Sequence, residues 1–537
     1  MLSRACSLKP PLVRSRVFPR TPLSRTISTR PGKPVPRPTS EVDPQTSPFV
    51  QENYVQSTVF TLEFFARFLR YSAIGLVAVG VTAWTAYEGT HMWVEKVELA
   101  HDTDPEVHKY EWDIEAERWT GGNLGGTDRG LGVMGRHAVR SAWIAQNWGV
   151  GSTGSVIGSN AFTGRGGSGA GGLNVIESRL EYAQAFLTTA HQVALQRNST
   201  GKLRPQTVTE LLHRHANIME RMGTRDALFE ARSEFERVWA ALPGRGLDAA
   251  RIALKLGDLN RRLGEPEEAL SWWSRAMHLI RGDDRATPVE VPPSVPDTVP
   301  SSPLAQRILI STLVSFSAFY ATSGQLKEAK AVEESSLNLL RSIRQPDSVE
   351  SSSPPQTLHA LYILHRSSLL SIHLAEVLYG LRDKSTASME WLTRAAESSE
   401  RVACVLTGLP PVHPDAPQSN IPHPPASEAT LVRDYSKSLS MRAPAKSLLR
   451  DARRTAAEAW NLLGILSEST KAPGSMEKAL DCYERALGWA GVSGDRAGGI
   501  GQAGEGTLES EWMVLWNNYV RARNVVRKDE AEDQKKD

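Results

Sequence analysis

The chain has 537 residues and a formal net charge of +2. That length allows more than one domain, and a near-neutral balance without a clustered basic face argues against nucleic-acid binding. The three cysteines, Cys6, Cys404 and Cys482, stand alone with no CxxC pairing, so neither a disulfide scaffold nor a zinc site is expected.

Residues 1–40 carry Arg4, Lys9, Arg14, Arg16, Arg20, Arg25, Arg30, Lys33 and Arg37, many Ser and Thr, and no Asp or Glu. No central apolar run interrupts them, as a secretory signal would require, so a mitochondrial presequence is expected, removed near Thr26 to Arg30. Residues 41–67 then form a matrix-side segment, and 68–87 a transmembrane helix. Its core, YSAIGLVAVGVTAWTAY from Tyr71 to Tyr87, holds 17 residues and no charge. At about 1.5 Å per residue this spans roughly 26 Å, near the thickness of a bilayer core. Phe68 and Leu69 extend it, Arg70 can snorkel to the interface, and Trp84, Tyr87 and Trp93 suit the far interface. Arg67 and Arg70 precede the span, whereas Glu88, Glu95, Glu98, Asp102 and Asp104 follow it. This asymmetry predicts a single-pass protein of the mitochondrial inner membrane, with its N-terminus in the matrix and its body in the intermembrane space. Gly75, Ala78, Thr82 and Ala86 make a small-residue stripe. It is a candidate interface to another membrane helix, or simply the usual composition of such helices.

Residues 88–148 read as a membrane-proximal helical segment. HKYEWDIEAERW, with Trp112 and Trp119, predicts a helix lying near the membrane or capping the body. RHAVRSAWIAQNWG predicts an amphipathic helix with Val139, Trp143 and Trp148 near one face. Residues 149–172 form a Gly-rich linker. It contains a GxGxxG match at Gly164, Gly166 and Gly169, but no buried strand precedes the match, so no dinucleotide site is expected.

From 173 to 525 apolar residues recur at helical spacing, interrupted by insertions at 282–303, 345–356, 408–428 and 491–507 that are rich in Pro, Ser or Gly and are expected to be exposed and disordered. Residues 526–537 form a charged tail. Within the helical region Ala253, Leu256 and Gly257 are followed by Ala269, Trp273 and Ala276. Trp460, Leu463 and Gly464 are followed by Ala479, Tyr483 and Ala486. These offsets match the tetratricopeptide pattern of about 34 residues, a helix–turn–helix unit that stacks into a solenoid. Gly257 and Ala269 are small where the two helices of a unit cross, while Trp273 and Ala276 are expected to face the next unit. In the turn RLGEPEEAL, Gly264 and Pro266 suit a helix end and a helix start. Weaker units surround Ala231, Phe235 and Val238; Leu313, Phe316, Tyr320 and Ala329; and Tyr379, Ser388, Leu392 and Ala395. Trp512, Leu515, Trp516 and Tyr519 read as a capping helix. The fold class is thus all-α: one N-terminal transmembrane helix, then a tetratricopeptide-like α-solenoid with long disordered insertions.

Chemistry-bearing clusters are sparse. His213 and His215 diverge on a helix, and His359, His365 and His373 are spread along another with no carboxylate at metal-ligand spacing. No catalytic, cofactor-binding or metal site is expected, and the protein reads as a non-enzymatic binder.

The layout resembles a fungal mitochondrial family of inner-membrane tetratricopeptide proteins that act as adaptor subunits of the i-AAA protease. The resemblance is carried by the architecture, the junction AYEGTHMWVEKVEL from Ala86 to Leu99, and the segment GRHAVRSAWIAQNWG. It implies that the body binds unfolded or misassembled protein clients and delivers them to the i-AAA protease complex for quality control. The partners would be proteins and inner-membrane lipid, not nucleic acid or a small-molecule substrate. The alternative is an assembly or scaffold factor for a respiratory-chain complex that uses the same surface.

Overall fold

The computed structural model describes residues 49–115, 119–149, 156–158, 175–199, 201–244, 246–282, 292–344, 346, 352–383, 385–409, 430–470, 472–493, 502–503 and 512–533. The expected presequence, most of the Gly-rich linker with its GxGxxG match, and parts of the four insertions lie outside these residues. The chain divides into two units, Met1–Val81 and Thr82–Asp537, and the boundary falls inside the first helix, α1 (Phe49–Trp93).

In the first unit the described chain is helix. Its surface is apolar, with Phe60, Phe64, Phe68, Ile74 and Leu76 all exposed. The apolar face continues upstream of Arg67, which pairs with Glu63 one turn back at 3.2 Å. Two described helices are long and apolar enough to cross a membrane. The apolar window containing α1 is 0% buried, whereas that of Pro303–Thr322 is 61% buried and belongs to the protein core. At 45 residues α1 is about 68 Å long, roughly twice a bilayer core. The helix therefore runs beyond the expected 68–87 at both ends.

The second unit is all-α. After α1, a π-helical turn at Val94–Glu98 leads to two short helices, α2 (Pro105–Lys109) and α3 (Trp112–Glu115), and then to α4 (Gly132–Trp148). Next come α5 (Ser178–Asn198), α6 (Thr207–Met222), α7 (Arg225–Ala241), α8 (Leu247–Leu263), α9 (Pro266–Ile280), α10 (Pro303–Thr322) and α11 (Leu326–Arg341). The remainder are α12 (Pro354–Gly380), α13 (Ser385–Thr407), α14 (Arg433–Lys437), α15 (Leu439–Thr470), α16 (Ser475–Ala490) and α17 (Trp512–Asp533). Among the described residues strand is confined to two short antiparallel pairings, Val156–Gly158 with Val175–Glu177 and Val492–Ser493 with Gln502–Ala503.

Consecutive helices pack as hairpins: α4 on α5, α6 on α7, α8 on α9, α10 on α11, α12 on α13 and α15 on α16, with α17 covering α16. The first helices of successive hairpins also touch, α8 with α10, α10 with α12 and α12 with α15. Local chemistry sets the breaks. Gly264 ends α8 at φ +87°, and its N–H and that of Glu265 close the last carbonyls, before Pro266 opens α9. Thr224 and Ser302 cap α7 and α10 by accepting from the N–H of Ala227 and Ala305.

The segment after Leu99 carries the short helices α2 and α3 and caps the helical body, one of its two expected placements, with Val107 and Trp112 fully buried there. Three other features differ from expectation. The insertion expected at 282–303 is ordered chain from 292, where Val295 and Val299 pack against the cluster of Met277, Leu309 and Leu313. The charged tail expected from 526 is helical to Asp533, because Ala522 and Val526 bury their side chains. Tyr379, placed by spacing in a repeat unit, is 57% exposed, whereas Ser388, Leu392 and Ala395 of that unit are buried.

Candidate functional site

The paired small and aromatic residues come together as their spacing implies. Ala253, Leu256, Gly257, Ala269, Trp273 and Ala276 are all buried between α8 and α9. A Cβ on Gly257 would lie 2.4 Å from Cδ1 and Nε1 of Trp273. In the second hairpin Trp460, Leu463, Gly464, Ala479, Tyr483 and Ala486 are buried, and a Cβ on Gly464 would lie 2.6 Å from the Tyr483 ring. Trp273 was expected to face the next unit. It covers Gly257 of its own hairpin and also meets Phe319 of α10, with ring centroids 5.9 Å apart. Gly75, Ala78, Thr82 and Ala86 are all exposed on α1.

The two segments that carry the family resemblance also meet. Glu88 lies 2.9 Å from His137 Nε2 as the acceptor, and the His137 ring stacks near Tyr87. Glu95 accepts from Arg136 Nη2 at 2.9 Å, from the Thr127 N–H at 3.0 Å and from the Thr127 hydroxyl at 2.7 Å. The end of α1 is thereby clamped to α4.

Beyond this clamp, residues 98–115 form a strap across the first turns of four helices. Arg442 of α15 donates to Glu98 at 2.8 Å, and Ser438, just before α15, donates to Asp102 at 3.1 Å. Ser353, at the start of α12, donates to Glu106 at 3.1 Å. The N–H of Leu304, opening α10, donates to Glu111 at 2.8 Å. Arg307 of α10 donates to Glu115 at 2.5 Å and to the carbonyls of Tyr110 and Glu111 at 3.1 and 3.2 Å. Arg251 of α8 donates to the carbonyls of Ile114 and Glu115. Carboxylates here meet the free N–H groups and positive ends of helices, each contact contributing about 0.3–1 kcal/mol. Trp112 anchors the strap: it is fully buried, its Nε1–H donates to the Pro355 carbonyl at 3.0 Å, and the Arg307 guanidinium lies 3.8 Å from its ring centre.

About two turns further along the same helices runs a second, polar row. Lys255 of α8 pairs with Glu220 of α6. Asp258 accepts from Trp273 Nε1 at 3.1 Å, and burial raises its pKa. Ser311 of α10 bonds Tyr362 of α12 at 2.7 Å. Arg366 donates to the Tyr362 hydroxyl at 3.3 Å, with its guanidinium 5.0 Å from that ring. Burial lowers the Arg366 pKa, but Tyr362, Asp451 of α15 and Asp258 outweigh it and hold the charge in place. The row thus carries both signs, donors and acceptors, across α6, α8, α10, α12 and α15. Such a surface can bond the main chain and mixed side chains of an extended polypeptide.

The histidines noted from sequence serve as pins between helices. His359 meets Arg307 at 3.2 Å and Gln306 at 3.0 Å, His365 meets Thr455 at 3.0 Å, and His373 meets Ser317 at 3.0 Å. Burial pushes their pKa values down to about 3, 3 and 4, so they are neutral at physiological pH. His213 is half-buried, edge-on to the Phe235 ring at 5.6 Å between centroids.

Sequence reasoning did not find the strap or the polar row. Glu98 and Asp102 were read as flanking charges of the membrane helix, yet they bond residues more than 300 positions away. Periodicity carries no trace of such pairs. Glu400 is a further case: it accepts from Trp460 and Trp489 Nε1 at 2.8 and 2.6 Å and from Arg485 Nε at 2.6 Å, joining α13, α15 and α16. No protein-family model matches the chain, and no curated protein matches it.

Proposed function

We propose that the protein is a non-enzymatic adaptor of the mitochondrial inner membrane. Its tetratricopeptide-like solenoid lies in the intermembrane space, holds unfolded or misassembled protein segments, and delivers them to the i-AAA protease. The observation that carries this reading is the polar row from Glu220 and Lys255 to Arg366, which crosses α6, α8, α10 and α12. Stacked helix pairs bury one continuous core and leave such a surface for an extended ligand. The strap supports the reading by showing how a segment of chain is held on these helices: side-chain donors hold its carboxylates and its carbonyls. The exposed apolar α1 supports a membrane tether. The Gly257–Trp273 and Gly464–Tyr483 crossings support the tetratricopeptide assignment.

The test uses the full chain in detergent and, as probe, a fluorescent unfolded segment of an inner-membrane protein. Tyr362→Ala with Arg366→Ala should weaken binding about tenfold or more, a loss of at least 1.4 kcal/mol. Each tagged chain is then recovered from mitochondria. The native protein should bring down the i-AAA protease together with unfolded clients, and the double variant the protease with fewer clients. Recovery of one respiratory complex without the protease would overturn the adaptor reading in favour of an assembly factor.

A further inference from the structure

We propose that His215, Glu230 and Glu234 form a divalent-metal site, best suited to zinc, where α5, α6 and α7 meet. Glu230 and Glu234 lie four apart on α7 and so share a face. One ligand atom from each, with one ring nitrogen of His215 from α6, all fall within 4.8 Å of one another. His215 is 6% exposed and Glu234 8% exposed, whereas Glu230 lies at the exposed rim.

The contacts around His215 set one ring nitrogen against a carboxylate and the other against a hydroxyl. Thr188 of α5 donates its hydroxyl proton to the Gln184 carbonyl at 3.0 Å. Its oxygen also lies 3.3 Å from His215 Nε2. The remaining nitrogen, Nδ1, faces both carboxylate oxygens of Glu234 at 2.9 and 2.8 Å. In a neutral imidazole protonated at Nε2 that contact sets a lone pair against an anion. A single proton carried on Nδ1 instead, or a metal ion, satisfies the contact.

Two observations favour the metal. Glu230 adds a second carboxylate, so the pair neutralises a divalent ion, and neither oxygen set need find another cation. His191, one turn beyond Thr188 on α5, has a buried Nδ1 with no hydrogen-bond partner among the described residues. It lies within electrostatic reach of Glu234 and His215, with Arg237 the opposing charge, and burial keeps it neutral, the form that ligates. One or two imidazoles with carboxylates suit zinc better than magnesium or calcium. Metal–ligand bonds of about 2.0–2.2 Å place neighbouring ligand atoms roughly 3.3 Å apart, a spacing that fits within the 4.8 Å that bounds these three. Thr188 then acts as the partner that orients the ligating ring. The ion would staple the α4–α5 hairpin to the α6–α7 hairpin.

The test strips the full chain with chelator in detergent and adds zinc alone, reading bound metal per chain, melting temperature and, with cobalt substituted, the visible band of a four-coordinate ion. One equivalent is expected, with a rise in melting temperature. Glu230→Gln, at the rim, should keep the metal-free melting temperature and weaken zinc binding by at least about tenfold, and His191→Gln should shift the cobalt band. Equal zinc retention by the native chain and Glu230→Gln would overturn the site. So would a melting temperature indifferent to zinc, which would leave a protonated His215–Glu234 ion pair only.

Discussion

Glu333 is a buried acid that the fold holds without a counter-ion. It sits on α11 with 0% exposure, and neither carboxylate oxygen has a hydrogen-bond partner among the described residues. Burial, with Glu376 and Glu334 adding repulsion, pushes its pKa from 4.5 to about 9. The folded chain therefore keeps the proton across a range in which the unfolded chain releases it. Its contribution to stability is complete below about pH 4.5 and is lost as pH rises from there towards 9. At about 1.4 kcal/mol per pH unit the native chain forfeits about 3 kcal/mol by pH 7. Glu333→Gln keeps the shape of the neutral acid and removes this slope. The two proteins should melt together at pH 4, and the glutamine variant should be the more stable by about 2–3 kcal/mol at pH 7. Parallel stability curves across that range would show that Glu333 is ionised in the fold.

At the scale of the helix pair, the crossing of α8 on α9 and of α15 on α16 depends on glycine. Alanine normally stabilises a helix interior by about 1 kcal/mol over glycine. At Gly257 the added Cβ would meet the Trp273 ring at 2.4 Å, and that ring is fixed by full burial and its bond to Asp258. At Gly464 the obstacle is the Tyr483 ring at 2.6 Å. Overpacking of a rigid core costs about 1–3 kcal/mol, so Gly257→Ala and Gly464→Ala should each be destabilising, by about 1–2 kcal/mol in thermal or denaturant melts. Stabilisation by either would mean that the helices separate without cost. These crossings were legible in the sequence because a repeat unit is local: the small residue and the ring that covers it lie on consecutive helices, and the same offsets recur in both units. Trp273 also reaches Phe319, which the pattern of one unit does not specify. Glu400 was illegible for the opposite reason. Its partners Trp460, Arg485 and Trp489 are each 60 or more positions away, and nothing periodic marks them.

Across the whole second unit, the strap joins hairpins that otherwise touch only their neighbours. A solenoid held by nearest-neighbour contacts frays one unit at a time. Residues 98–115 change this, because a single stretch of chain engages α15, α12, α10 and α8 in turn. Trp112 is its anchor: the fully buried indole carries the bond to Pro355 and the contact with Arg307, and Arg307 in turn holds Tyr110, Glu111 and Glu115. Trp112→Ala should cost about 3–5 kcal/mol of strap docking, as truncation of a buried aromatic does. If the strap acts as one element, losing that anchor releases all of its contacts together. Amide exchange should then rise in the first turns of α8, α10, α12 and α15 at once, while α16 and α17, which the strap carboxylates do not cap, remain protected. Protease should also cut between Leu99 and Trp119, where the native chain resists. Exchange that rose only beside Pro355 would mean that each carboxylate contact stands alone. The charge pattern after α1 makes the cooperative outcome the stronger expectation. Glu98, Asp102, Glu106, Glu111 and Glu115 recur about once per helical turn, and each is matched to the opening of one helix or to an arginine within it. A shift of the strap by a few residues would break every pairing, so the segment docks in one register or not at all.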